Sequence, residues 1–415
     1  MVGARAIASM AERYERPAWV RRVNAMATAV GDARRIVPID AAELVGLAQK
    51  SLGGGAAGDF GDPDWRARFE RLAAALDAAR MHVVGRLLTR EELLRCLRTR
   101  LLLAGELERK PAIASERIEA PLIVTGPARS GTTILFELLW LDPDLRGPTA
   151  FEALHPLPLP ESGGEDARLA ASECEQELWA DVQPEFAAIH ELRSDLPVEC
   201  VTLTAPCFCG PHWSMVAQLE GFLPDMEEMY RFHRRILQVL QHGRPRRTWL
   251  LKTPGHLMTL GLLHATYPDA WIVQTHRDPA KTMPSTVSTT AMVQWLRSDH
   301  VELPPLAATI EGVFAFALNN VAAERRAGTS PLRFVDVHFQ DLMRDPVETL
   351  RRAYAAMGRD FGSAHAERIR RYLAEKPKGK FGTHRYSPED WGFTTAGLRE
   401  HLAPYIEYFG VALED

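Results

Sequence analysis

The chain reads as an α/β protein: a three-layer domain around a central, mostly parallel sheet, with a helical N-terminal region and a helical insertion. Three observations lead there. Four short apolar runs rich in β-branched residues are separated by stretches of helical periodicity, the pattern of βαβ units. The first run ends in a glycine turn that leads directly into a helix. Residues 1 to 118 carry helical patterns and no strand pattern. With 415 residues, 46% hydrophobic and 25% charged, the chain has the balance of an ordinary globular protein with a sizeable core.

In residues 1–118, Asp40-Ala-Ala-Glu43 and Thr89-Arg-Glu-Glu92 both have the shape of a capping box ahead of leucines at helical spacing, which predicts a helix start at each. The glycines between 53 and 61 mark a loop. At Ala120 the character changes, so a main domain is expected over 119–415. Pro121–Thr125 is a short β-branched run bounded by Gly126-Pro127, as in a buried parallel strand. A helix is expected over 132–141, ending at Asp142-Pro143. Further strands are expected over 247–251, 270–275 and 332–338, the last followed by a helix over 347–357. Residues 154–245 form a helical, proline- and aromatic-rich insertion between two strands. An insertion that large usually carries function, and it is assigned to acceptor binding.

Net charge is −5, against a nucleic-acid partner, which usually requires a global basic excess. The five cysteines show neither a C-x-x-C pair nor zinc-ligand spacing, so no disulfide framework and no metal are expected. Cys207-Phe208-Cys209 reads as pocket or core lining. A reducing, cytoplasmic compartment is the expectation. Residues 1–22 intersperse arginines and glutamates among alanines and lack a signal-peptide core. No stretch approaches the ~18 apolar residues of a membrane span; Pro121–Leu141, the best candidate, is interrupted by Arg129 to Thr133. A homo-oligomer is left open.

The glycine turn is the first chemical site. Gly126-Pro-Ala-Arg129-Ser130-Gly131-Thr132-Thr133 lies between a strand and a helix, where backbone N–H groups and the helix dipole converge on one small volume. Threonine hydroxyls add donors, and Arg129 adds a planar charge suited to phosphate. The nucleoside-triphosphatase loop places a lysine where Thr132 stands here, so a kinase would lack its central charge. The plainer alternative is a packing turn. A second site follows the strand at 270–275. His276-Arg277-Asp278-Pro279 leaves its carboxyl end, where open α/β sheets bind ligands, and Ser285 lies eight positions on, about two helical turns. Arg277 and Ser285 could hold a separate phosphate; alternatively Arg277 pairs with Asp278.

Gly126–Thr133 resembles the 5′-phosphosulfate-binding loop of the sulfotransferase family, in the bacterial form that has arginine where the mammalian cytosolic enzymes have lysine. Arg277-x7-Ser285 resembles that family's 3′-phosphate segment. Lys376-Pro-Lys-Gly-Lys380-Phe-Gly-Thr-His384-Arg385-Tyr386 is similar to its C-terminal cofactor loop. The resemblance covers roughly residues 120–395. It implies a P-loop-like fold and 3′-phosphoadenosine 5′-phosphosulfate (PAPS) as donor, with 3′-phosphoadenosine 5′-phosphate (PAP) as product. Arg129, Ser130, Gly131, Thr132 and Thr133 would then contact the 5′-phosphate, and Lys380, His384, Arg385 and Tyr386 would close the site. Sulfuryl transfer needs an in-line hydroxyl, a base and positive charge. Arg129 and Lys252 supply the charge; arginine does not readily give up a proton. Leu251-Lys-Thr-Pro254 resembles the family's Lys-Thr-His stretch, with Pro254 in place of the catalytic histidine. Glu152 is the replacement base the resemblance implies, with His155, His190 and His256 as alternatives. Val201–Leu223 is apolar and aromatic and favours a small lipophilic acceptor. The competing functions are a P-loop phosphotransferase and a nucleotide-binding protein without turnover.

Overall fold

The structure is a computed structural model and describes residues 6–52, 60–158, 165–189, 191–376 and 386–414. Five parallel strands form the sheet: β1 (Leu122–Thr125), β2 (Leu145–Arg146), β3 (Thr248–Lys252), β4 (Trp271–His276) and β5 (Arg333–His338), in the order β2-β3-β1-β4-β5. Four match the runs expected from sequence to within a residue or two. β2, at two residues, is too short to leave a periodic signal.

Alternation along the strands sets the layers, because successive side chains point to opposite faces. Leu122 and Val124 of β1 pack with Leu250, Val273 and Val335 under helix Thr132–Trp140, through its Leu135, Phe136, Leu138 and Leu139. Ile123, Leu251 and Ile272 face the other way, against Leu263, Met283 and Val287. Both faces are therefore covered, which gives the three-layer fold.

Among the described residues no strand precedes Leu122; helices Ala18–Val30, Ala41–Lys50, Trp65–Ala78 and Val83–Arg109 fill that part. They do not bury their apolar faces among themselves. Phe69, Leu72, Leu97 and Leu101 belong to the same apolar cluster as Phe208, Trp213, Phe232 and Trp249, and the Phe69 and Phe208 rings lie 4.8 Å apart. Those insertion aromatics, with Tyr230, are buried in this shared core.

Asp40 caps its helix as expected, its carboxylate accepting from Glu43 N at 2.7 Å. The second expected cap is corrected. Thr89 and Glu92 lie inside helix Val83–Arg109, whose N-cap is His82, with Nδ1 accepting from Gly85 N at 2.8 Å. Tertiary packing fixes this start: a Cβ on Gly85 would fall 2.1 Å from Arg297 O, so the helix begins where it crosses residue 297. Thr89 Oγ1 instead donates to Gly85 O at 2.8 Å. Helix Leu303–Ala327 is also a correction, being long and apolar enough by composition to cross a membrane. Its Leu306, Ile310, Phe314, Leu318 and Val321 are buried in the main cluster, while Val313 and Phe316 are exposed.

Glu92 sits at a buried junction of charge, 2.8 Å from His212 Nε2, 2.8 Å from Arg297 Nη2 and 3.3 Å from Arg95 Nη2. Burial alone would raise its pKa. His212 and the two guanidiniums outweigh that and hold the carboxyl well below its ordinary range. A folded-state pKa below the unfolded one contributes stability that is complete above the ordinary carboxyl pKa and lost as pH falls through the folded value. Urea unfolding at a series of pH values should thus show stability falling from about pH 5 downward. Glu92→Gln should cost about 3 kcal/mol or more at pH 7, by leaving the buried Arg297 without its carboxylate partner while Arg95 keeps Glu175 at 3.1 Å, and should flatten part of that acid limb.

Candidate active site

The carboxyl ends of β1, β3 and β4 come together because β1 lies between the other two, with Val124 opposite Lys252 and Thr125 opposite Gln274. The loop after β1 is shaped by close approach. Gly126 has φ 138°, and a Cβ there would lie 2.3 Å from Thr275 Oγ1 and 2.7 Å from Thr275 O. Gly131, at φ 90°, caps helix Thr132–Trp140 in the left-handed region. Ser130 is fully buried, its Oγ bonded to Pro127 O and to Thr275 Oγ1. Arg129 holds φ 65°, unusual for a residue with a Cβ, and its side chain is exposed. Thr132 is buried and Thr133 exposed. The first N–H groups of this helix lack intrahelical carbonyl partners, so with the exposed Arg129 they make a turn with the chemistry to accept an anion.

Arg277 Nη1 donates to Arg129 O at 2.8 Å, which joins the ends of β1 and β4. The Arg277 guanidinium stacks 3.8 Å from the Phe339 ring centroid and is gripped by both carboxylate oxygens of Glu414, at 2.7 and 2.8 Å. A cleft of about 250 Å³ opens here, lined by Arg277, His338, Phe339, Val411 and Glu414 among others. Asp278 is not the partner of Arg277: it caps helix Pro279–Trp295 through Ala280 N and pairs with Arg399 at 2.6 Å. Ser285 lies in that helix, fully buried, and its Oγ has no hydrogen-bond partner among the described residues.

Lys252 ends β3, buried, with Nζ donating to Thr133 Oγ1 at 3.2 Å and paired with Glu199. The other Glu199 oxygen accepts from Thr253 Oγ1 at 3.2 Å. Glu199 was not among the residues singled out from sequence. It reaches β3 from the insertion, 53 positions away, and no motif spans that distance. Glu152, the base expected from the resemblance, is buried at 2.7 Å from Arg146 and 3.0 Å from Arg244, with its second oxygen accepting from Thr149 N. Its carboxylate thus serves two guanidiniums and a helix cap, whereas the carboxylate on the Lys252 ammonium is that of Glu199.

Of the alternative bases, His155 pairs with Glu175 at 2.9 Å. His256 is buried, which holds it neutral with a pKa well below the ordinary value. His190 lies outside the described residues, as do Lys380, His384 and Arg385. Tyr386 is described and half-buried. Cys207 and Cys209 are buried core residues. No disulfide joins any of the five cysteines.

A parallel sheet with a glycine turn, two arginines and a lysine at its carboxyl edge is the architecture of the P-loop-like α/β class. The Sulfotransferase family model matches residues 121–363, and the chain belongs to that family; it is a sulfotransferase. It is 27% identical over 305 residues to the omega-hydroxy-beta-dihydromenaquinone-9 sulfotransferases Stf3 of Mycobacterium bovis and Mycobacterium tuberculosis, covering 70% of this chain and 75% of those proteins. Among solved structures, sulfotransferase STF9 from Mycobacterium avium superposes with a TM-score of 0.77 at 25% identity, over 90% of this chain and 97% of that one. Sulfotransferase STF1 from Mycobacterium tuberculosis gives 0.67 at 28% identity, over 87% and 97%. The family excludes the phosphotransferase reading.

The turn itself yields a test of the geometry. Gly126→Ala should lower stability by about 3 kcal/mol or more, since the added carbon meets Thr275 at an unfavourable φ. Gly255→Ala, whose Cβ would meet nothing nearer than 3.8 Å, should change the melting temperature little. Thermal unfolding of the two variants compares them directly.

Proposed function

We infer that this sulfotransferase uses PAPS as donor, held between the β1 turn and Arg277, and transfers its sulfuryl group to a hydroxyl of a small lipophilic acceptor. The observation that supports the donor reading is the hydrogen bond from the Arg277 guanidinium to the Arg129 backbone carbonyl, which brings the arginine at the end of β4 against the turn that follows β1. The residues present fit such a ligand. The turn offers N–H groups and the helix dipole to a 5′-phosphosulfate, and Ser285 offers a buried hydroxyl with no partner for a 3′-phosphate. Lys380, His384, Arg385 and Tyr386 belong to the same reading through the family's C-terminal loop.

In this mechanism the acceptor oxygen attacks sulfur in line while the bridging bond to the phosphate breaks. Arg129 and Lys252 balance the charge that develops on the transferring group and on the departing phosphate. Glu199 takes the acceptor proton: the approaching sulfuryl oxygens compete for Lys252 and release the carboxylate it now holds. Glu152, tied to Arg146 and Arg244, positions the start of helix Ala150–Leu154 and is the second choice for the base. A lipophilic acceptor is supported by the relatives named for omega-hydroxy-beta-dihydromenaquinone-9. It is supported too by the insertion surface, where Met215 and Leu223 are exposed and Leu219 and Phe222 only partly buried.

Calorimetric titration with PAP, ADP and ATP tests the donor site. PAP should bind best, and Arg277→Ala should abolish the preference. Glu414→Gln should bind PAP about threefold to tenfold more tightly, because it removes the anion that already occupies Arg277. Equal binding of all three nucleotides would reject the PAPS assignment. For the base, Glu199→Gln should lower kcat about 10²- to 10⁴-fold with PAP affinity retained, and Glu152→Gln should lower the melting temperature with kcat largely kept. The reverse pattern in well-folded variants would return the role to Glu152. Turnover of plain sugars with refusal of every long-chain ω-hydroxy compound would reject the lipophilic acceptor.

A further inference from the structure

Behind the Glu199–Lys252 pair lies a second cluster with the chemistry of a metal site. Cys200 opens helix Cys200–Thr204, His233 lies in helix Met226–Gln241, and His256 lies in the 3-10 turn Pro254–Thr259 that follows β3. All three are buried, and one ligand atom from each lies within 4.8 Å of the others. Each histidine is anchored by one nitrogen only. His256 Nδ1 is 2.8 Å from Tyr230 Oη, and His233 Nδ1 is 2.7 Å from Tyr267 Oη. Both Nε2 atoms are buried with no hydrogen-bond partner among the described residues.

A buried polar atom without a partner is costly, and an apolar core would be expected to avoid two in one place. The tyrosines have the role that outer partners take at metal-bound histidines: a bond at Nδ1 fixes ring and tautomer and leaves the Nε2 lone pair for the ion. With Nδ1–H donating to Tyr230 Oη, the Tyr230 hydroxyl can pass its own hydrogen to Thr259 Oγ1, 2.9 Å away. Ligand atoms around an ion at ~2.0–2.3 Å are separated by roughly 3.3–4.0 Å. The cluster is therefore within a small side-chain rotation of closure.

We propose that Cys200, His233 and His256 bind a thiophilic metal ion, Zn²⁺ or Cu⁺, through one thiolate and two imidazole Nε2 atoms. Binding displaces the proton of the Cys200 thiol to solvent, and the imidazoles coordinate uncharged. One sulfur with two imidazoles suits these soft-to-borderline ions and not Mg²⁺ or Ca²⁺, which take oxygen. The thiolate fully balances Cu⁺ and half balances Zn²⁺, so the charge left in the core is at most one unit. The ion ties the insertion to the turn after β3. Cys200 adjoins Glu199, and His256 lies four residues beyond Lys252. Where the proposed mechanism holds, the ion is a positioning device for that pair. Sequence offers no sign of the site, because its ligands come from three separate elements and form no spacing motif.

The test is made on the full-length chain, freed of any affinity tag and stripped with chelator under reducing conditions. Zn²⁺ and Cu⁺ are titrated separately against chromophoric competitors, and Co²⁺ serves as a spectroscopic probe. One equivalent of Zn²⁺ or Cu⁺ should bind per chain. It should raise Tm by about 3 °C at a hundredfold excess over Kd, and Co²⁺ should develop a thiolate charge-transfer band. Cys200→Ser, nearly isosteric, should weaken binding by at least about a hundredfold, and Tyr267→Phe by about tenfold to a hundredfold. Cys174→Ser, at an exposed cysteine, should bind as the parent does. Failure of both ions to bind at micromolar concentration, or undiminished binding in Cys200→Ser, overturns the proposal. None of these readouts depends on donor or acceptor, so their outcome is independent of the sulfotransfer mechanism.

Discussion

The parallel pairing of β1 with β3 on one side and β4 on the other organises everything this protein can do. Because Val124 stands opposite Lys252 and Thr125 opposite Gln274, three strand ends finish at nearly one level. Each then releases its chain into a different polar segment: the glycine turn, the Lys-Thr-Pro stretch, and Arg277. Gly126 is the tightest point of this arrangement, since the backbone of β1 passes Thr275 too closely for any side chain. Ser130 closes the gap from the other side by bonding to the same threonine. The glycine turn is thus held by its neighbour strand as much as by its own helix.

Charge at the sheet edge is already paired in the protein alone. Arg277 is gripped by Glu414, Lys252 by Glu199, and Asp278 by Arg399. A ligand with two anionic groups would exchange these contacts rather than meet naked charges. Net affinity is then a difference between two sets of ion pairs, which makes it sensitive to residues that never touch the ligand. Glu414 is such a residue, contributed by the far end of the chain.

The N-terminal helices and the insertion are less separate than their positions in the chain imply. Phe69, Leu97, Phe208, Trp213 and Trp249 share one apolar cluster. The buried Glu92 junction ties helix Val83–Arg109 to His212 of the insertion and to Arg297, just beyond helix Pro279–Trp295. A rigid support of this kind lets Glu199 be carried on the insertion and still pair with the Lys252 side chain of β3.

The fold class, four of the five strands and the glycine turn between strand and helix were legible in the sequence, because each depends on local order. Short β-branched runs make buried strands, and glycines before a helix make a turn that faces its dipole. The helix start near Thr89 was misread, since a capping pattern is local while the true start follows from Gly85 packing on residue 297. Pairwise partners were the other blind spot. Arg277 could be read as a binding arginine but not as the partner of Glu414. Glu152 could be picked out by its place after the turn, yet it is committed to Arg146 and Arg244. Glu199 gave no signal at all. Sequence by itself determined which segments become strands, turns and helices, because hydrophobic period and backbone preference act over a few residues. Only the tertiary structure decided which carboxylate meets Lys252 and which histidines meet Cys200, because those encounters are set by how distant segments pack, and spacing along the chain does not encode them.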